Sequence, residues 1–385
     1  MQTTLGDFDD IRSYEDEEVN QVFQYLTQEP SFLRLIRFLY PDTDPASFIK
    51  KLLSLDSISA FQTEIIRPYI KERIIDTTCS QVSITGLKKL GRDKAYLFVS
   101  NHRDIILDSA FLNTLLSFQQ FECTEIAIGD NLLIHPWITA LVKLNRSFIV
   151  KRNAPIRQMF EHSRTLSNYI RHKITQKNRS VWIAQRQGRS KDGDDRTQEA
   201  LIKMFQLSHP SSALFESLKD LSIVPLSISY EYDPCDHLKA REFLLKKLNP
   251  DFKKSKEDDL ESMATGMKGY KGEVYFKVGK PLHEALKKVD FIGNRNEKIK
   301  ALARLIDQKI HKNYKIYPNN YIATDLLNNN LVFANHYTLQ QKKNFQDYLT
   351  KKIKMIDIHH LDPLFLKKSF LEMYAFPLKN HLAAI

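Results

Sequence analysis

Six short apolar runs, at 95–100, 125–128, 147–151, 180–184, 223–229 and 274–278, are separated by longer stretches of helical periodicity, and this alternation restricts the fold more than any other feature of the chain. Strands that alternate with helices bury their apolar faces as a sheet covered by helices. The predicted class is therefore α/β, with a mixed, mostly parallel sheet. Helical segments are expected on both sides of it. Val19, Val22, Phe23 and Leu26, then Leu33, Leu35, Ile36, Phe38 and Leu39, recur near helical spacing, with Pro41 and Pro45 as interruptions. After Pro281 the sequence turns helical again and stays rich in Lys and Asn. The stretch 249–271 is strongly charged and leads to Gly266, Gly269 and Gly272, which predicts an exposed loop or insertion before the last strand. At 385 residues the chain exceeds what one core usually organises. The expected division is an N-terminal helical segment over 1–80, an α/β domain over 81–285 and a C-terminal helical region over 286–385.

Hydrophobic residues make up 42% of the chain, with 11 Gly and 14 Pro, a composition of folded rather than disordered proteins. The formal charge of +11 implies a surface that attracts polyanions, whether nucleic acid, anionic lipid or phosphorylated small molecules. Cys79, Cys123 and Cys235 are far apart and form no Cys-x-x-Cys pair, which fits a reducing, cytoplasmic setting. The beginning of the chain is acidic (Asp7, Asp9, Asp10, Glu15, Asp16, Glu17, Glu18), the opposite of an export signal. No window reaches the ~18 uninterrupted apolar residues of a spanning helix. Membrane association is thus expected to be peripheral.

The run Tyr96-Leu-Phe-Val-Ser leads directly into Asn101, His102, Arg103 and Asp104 and then into a helix-like segment. Polar residues at the carboxyl end of a strand stand where open α/β sheets place ligands. A histidine there can take a proton from a hydroxyl if a carboxylate holds its other ring nitrogen. The cluster resembles the signature of the glycerophosphate and lysophosphatidate acyltransferase family, a His followed after four residues by an Asp and often preceded by Asn. Here five residues separate His102 from Asp108, so the carboxylate partner is Asp108 with a one-residue bulge, or Asp104.

Three further stretches resemble the family's later blocks in the same order. Lys143-Leu-Asn-Arg-Ser-Phe-Ile-Val-Lys-Arg-Asn is similar to the second block, and the resemblance implies that Arg152 contacts phosphate, with Arg146 and Lys151 able to share that task. Ser180-Val-Trp-Ile-Ala-Gln-Arg-Gln-Gly-Arg-Ser-Lys is similar to the third block. From it Gly188 and Arg189 carry over as substrate-binding residues, joined by the charge of Lys191, whereas Arg186 and Gln187 stand where the family has Glu. The apolar run 221–230, with Val224-Pro225 at its centre, is similar to the fourth.

The resemblance implies an O-acyltransferase of phospholipid biosynthesis, peripheral on the inner face of the membrane. His102 would be the general base and Asp108 its orienting partner. An acyl group would move from acyl-CoA or acyl carrier protein to a hydroxyl of a phosphorylated glycerol or lysophospholipid, with no metal or cofactor. Lys50, Lys51, Arg67, Lys71 and Arg73 on the first helices would favour an anionic membrane surface. Two other classes compete: a basic nucleic-acid-binding protein, which lacks any recognisable binding motif here, and an inactive membrane-surface scaffold of the same fold. Adjacent His359 and His360 lack the helical spacing of a metal-dependent hydrolase site.

Overall fold

The structure, a computed structural model, describes residues 8–152, 155–359 and 362–385; Asp7 and His360 lie outside them. Seven strands form one sheet: β1 (Cys79–Thr85), β2 (Leu97–Ser100), β3 (Glu125–Gly129), β4 (Ser147–Val150), β5 (Val181–Ala184), β6 (Ile223–Tyr230) and β7 (Gly272–Val278). Their order is β1-β7-β6-β2-β5-β3-β4. β6, β2, β5, β3 and β4 run parallel; β7 is antiparallel to β6 and carries β1 parallel on its outer side. The sheet is mixed and mostly parallel, as the alternation predicts.

The period of two along each strand sorts side chains to two separate cores. Leu97, Val99, Val181 and Ile183 point into one, filled by Leu166, Tyr169, Phe205, Leu302, Ile306 and Ile310 from the covering helices. Phe98, Trp182, Val224, Leu226 and Phe276 point into the other, filled by Leu107, Phe111, Leu115, Ile70 and Ile74. All eight residues of β6 are buried, including Pro225. Proline is tolerated in this central strand because the ladder with β7 begins only at Leu226; the Pro225 carbonyl accepts the Gly279 amide at 2.9 Å, and its missing N–H leaves no carbonyl of that ladder without a donor.

The helices before the sheet pack on their own cluster of Val19, Phe23, Leu26, Phe32, Ile36, Phe48 and Leu52, closed by Leu144. The basic residues read there as a lipid-facing set are largely engaged within the chain. Lys51 pairs with Glu64, Lys71 with Asp76 and Arg73 with Asp42, while Arg67 donates to Ser117 Oγ at 2.8 Å. Among the described residues no helix is long and apolar enough to cross a membrane.

Two elements differ from expectation. β1 has no counterpart among the six predicted strands; it is a half-exposed edge strand whose partner β7 lies almost two hundred residues later. The charged stretch expected as a loop contains the helix Lys256–Lys268, begun by a reciprocal capping box between Ser255 and Asp258.

Candidate active site

β2 ends at Ser100, and the side chain of Asn101 extends its ladder by one step. Asn101 Nδ2 donates to the Ile228 carbonyl and Oδ1 accepts from the Ile228 amide, both at 2.8 Å. The chain then turns: Asp104 Oδ1 accepts the amides of Ile106 (3.0 Å) and Leu107 (2.9 Å), and the helix Leu107–Phe118 begins. Asp108 therefore falls in the first helical turn, where the helix dipole favours a carboxylate. Fully buried, its Oδ2 stands 2.8 Å from His102 Nδ1 and accepts the amides of Arg103 (2.6 Å) and Asp104 (3.1 Å). The extra residue between His and Asp is absorbed in the Ile105–Ile106 turn. Of the two candidate carboxylates, Asp108 holds the ring, and Asp104 holds the turn.

His102 keeps 14% of its side chain exposed, with the edge of Trp182 against it at 5.7 Å between ring centroids. Trp182 is fixed in turn by donating Nε1–H to Ser100 Oγ at 3.0 Å. The loop after β5 closes over this point: the Gln185 amide donates to the Ser100 carbonyl at 2.7 Å and the Ser190 amide to the His102 carbonyl at 3.2 Å. Gly188 has φ +73°, and the space a Cβ would enter is open. Arg189 turns inward. Its Nη1 is buried with no hydrogen-bond partner among the described residues, and its charge acts on the Asp104 carboxyl. That carboxyl is nevertheless held above the usual range, first by burial and then by the charge of Asp108. Lys191 differs from Arg189, because its ammonium pairs with Glu242 and is not free to meet a ligand.

Arg152 and Arg146 flank the same strand and separate completely. Arg152 follows β4 at the carboxyl edge, three positions along the sheet from β2, a span of roughly 14 Å at the usual strand spacing. Its side chain runs back across the end of β3: a Cβ on Gly129 would lie 2.6 Å from its Cζ. It is thus turned toward His102 without touching it. Arg146 precedes β4, where its carbonyl accepts the Ile126 amide, and so stands at the amino edge. A four-residue strand of about 13 Å lies between the two edges, so Arg146 is separated from the histidine rather than gathered with it.

Residues 81–229 match the family model described as Acyltransferase, a segment that contains β1 to β6 almost entirely and both members of the His102–Asp108 pair. The chain carries a domain of the acyltransferase family. No curated protein matches the sequence. Among solved structures the chain is similar to the 1-acyl-sn-glycerophosphate (LPA) acyltransferase PlsC from Thermotoga maritima, at 13% identity and a TM-score of 0.36, over 76% of this chain and 94% of that one.

Beneath the loop lie charged pairs that sequence reasoning did not single out. Arg103 Nη2 lies 3.1 Å from Asp195 Oδ2 beside the ring of Tyr314, and Lys239 pairs with Asp233 while donating to the Arg103 carbonyl at 3.2 Å. Buried charge demands a partner, so Asp195, remote in sequence from Arg103, was findable only through the fold, whereas Asp233 stands six positions before Lys239. Tyr230, at the end of β6, is buried beside Asp108, which with burial raises its phenol well above the usual value. Gly266 of the helix Lys256–Lys268 sits directly on Asp104; a Cβ there would meet Asp104 Oδ2 at 2.2 Å.

Proposed function

We propose that this acyltransferase moves a fatty acyl group from an acyl-CoA or acyl carrier protein thioester to a hydroxyl of a phosphorylated glycerol or lysophospholipid, with His102 as general base. The observation that carries this reading is the 2.8 Å contact between His102 Nδ1 and a fully buried Asp108 at the carboxyl edge of β2. With Nδ1–H donated to the carboxylate, Nε2 presents its lone pair to an acceptor hydroxyl. Nε2 takes the proton as the hydroxyl oxygen bonds to the thioester carbonyl carbon. Collapse of the tetrahedral species breaks the C–S bond, and the imidazolium returns its proton to the departing sulfur, giving ester and free thiol. Asp108 stabilises the imidazolium between those two transfers.

Arg189, whose buried Nη1 has no partner among the described residues, and Arg152, laid across Gly129, are the guanidinium groups proposed to grip the acceptor phosphate. Lys191 contributes only if its pair with Glu242 opens. Peripheral attachment to the inner face of a membrane is proposed through the N-terminal helices, where Phe38 and Leu53 are exposed. The test is thiol release by the purified chain from acyl-CoA or acyl carrier protein over a panel of phosphorylated acceptors. His102→Ala is expected to lower the acceptor-dependent rate by at least about 100-fold, the usual contribution of a positioned base. An undiminished rate removes the assignment.

A further inference from the structure

A cavity of about 250 Å³ lies away from the histidine, at the amino edge of the sheet. The N-terminal helices, the far end of the helix Leu107–Phe118, the loop that follows it and the turn before β4 together form its walls. Two arginines line it. Arg146 has Nε and Nη1 buried without a hydrogen-bond partner among the described residues, and Arg67 is held by Ser117 Oγ. Cys123 lines the same cavity as both arginines, and their charges oppose the burial that raises its thiol. Glu122, exposed at the rim, is the only acid among the lining residues; apart from it and the two arginines, the lining is of neutral hydrogen-bonding or apolar groups.

The backbone here is also costly. Arg146 (φ +53°) and Gln120 (φ +59°) both adopt the left-handed conformation, and both line the cavity. Such positions cost on the order of 1 kcal/mol each and gather where a site over-determines them. For Arg146 the strained turn lets its carbonyl begin the β3–β4 ladder while the side chain enters the cavity. Two guanidinium nitrogens buried without an acceptor are unfavourable unless an anion supplies one.

We infer that this cavity is a second, small-anion site, built for a phosphate group on a small molecule or a lipid headgroup and gripped by Arg146 and Arg67. Its volume falls below the range typical of drug-sized ligands, which restricts the occupant to a compact phosphate. The site is independent of the His102 reading. Yet it shares the helix Leu107–Phe118, which carries Asp108 at one end and Asn113, Thr114 and Ser117 on the cavity wall.

Cys123 provides a local reporter. In the full chain, its alkylation by iodoacetamide is followed by mass spectrometry of the Cys123 peptide, at constant ionic strength, with and without inorganic phosphate. Phosphate at about ten times its Kd is expected to slow alkylation about tenfold by mass action. Each variant is compared with itself. Arg146→Gln abolishes the protection and Arg67→Gln, the second variant should the first fold poorly, weakens it; His102→Ala and Arg152→Gln retain it. Phosphatidate-containing vesicles form the lipid arm, and protection there in place of free phosphate assigns the headgroup as the source. Absence of protection by either source, equal protection by acetate, or full protection in both Arg146→Gln and Arg67→Gln overturns the site.

Discussion

Asp104 and Asp108 are both buried, and four residues apart they serve different neighbours. Asp108 gives one oxygen to the imidazole and to two amides, so its charge and its geometry are both in use. Asp104 gives Oδ1 to two amides of the turn, a task an uncharged amide oxygen performs equally well, and burial already biases it toward the protonated form. Asp108→Asn is therefore expected to reduce kcat by about 100-fold or more while leaving the fold intact, since the imidazolium loses its counter-charge. Asp104→Asn is expected to leave kcat and the urea midpoint nearly unchanged. Steady-state kinetics beside urea melts decide between them, and the reverse ranking would reassign the partner of His102. The spacing of this motif was legible in the sequence, whereas the choice between the two acids was not. That choice depends on where the helix begins, and the Ile105–Ile106 turn sets it.

At the scale of elements, the site is made by strand ends and by what covers them. The helix Lys256–Lys268 covers the Asp104 turn through a residue that has no side chain. Gly266→Ala would drive its Cβ to 2.2 Å from Asp104 Oδ2, and one of the two must move. Overpacking of this kind typically costs 1–3 kcal/mol, so a comparable loss in urea-monitored stability is expected, with a fall in kcat as the turn beside His102 shifts. Unchanged stability and rate would mean that the helix does not bear on the turn. This helix was missed in the sequence because charge density masked its start, although Ser255-Lys-Glu-Asp258 is the spacing of a capping box. β1 was missed for a different reason. A half-exposed edge strand has little apolar signal of its own, and its partner β7 is remote in sequence.

At the scale of the molecule, the C-terminal helices brace the loop that carries Gly188 and Arg189. Thr197 donates its amide (2.7 Å) and hydroxyl (2.6 Å) to Asp307 Oδ1, His311 Nε2 lies 2.8 Å from the Asp195 carbonyl, and Arg196 donates to Asn380. Gly193 lies so close to the Met373 carbonyl that a Cβ would meet it at 2.4 Å. Burial raises the Asp307 carboxyl from 3.8 to about 6, so its contribution to stability is fully present only below 3.8 and is lost as pH rises through 6. His311, lowered by burial to about 4, acts oppositely: its contribution is present above 6.5 and is lost as pH falls through 4. The two trends offset each other in the wild type, and a variant that removes one reveals the other. Asp307→Asn keeps an acceptor for Thr197 and removes the buried charge. Relative to wild type it should gain stability between pH 4 and pH 7, on the order of 3 kcal/mol for a shift of this size, measured by urea unfolding at both pH values. A difference independent of pH would show that Asp307 is not perturbed.

The sequence alone determined the α/β class, six of the seven strands and the approach of His102 to an acid, because periodicity and a strand running into polar residues are local properties. The tertiary structure decided which acid, which arginines share the histidine's edge of the sheet, and what the last hundred residues do. Arg146 and Arg152 are six positions apart in the chain, yet a parallel strand carries them to opposite edges, a separation that depends on strand direction within the assembled sheet. Lys191 reads as a free cation until the fold brings Glu242 to it, since charge pairing between distant segments is a property of three-dimensional packing.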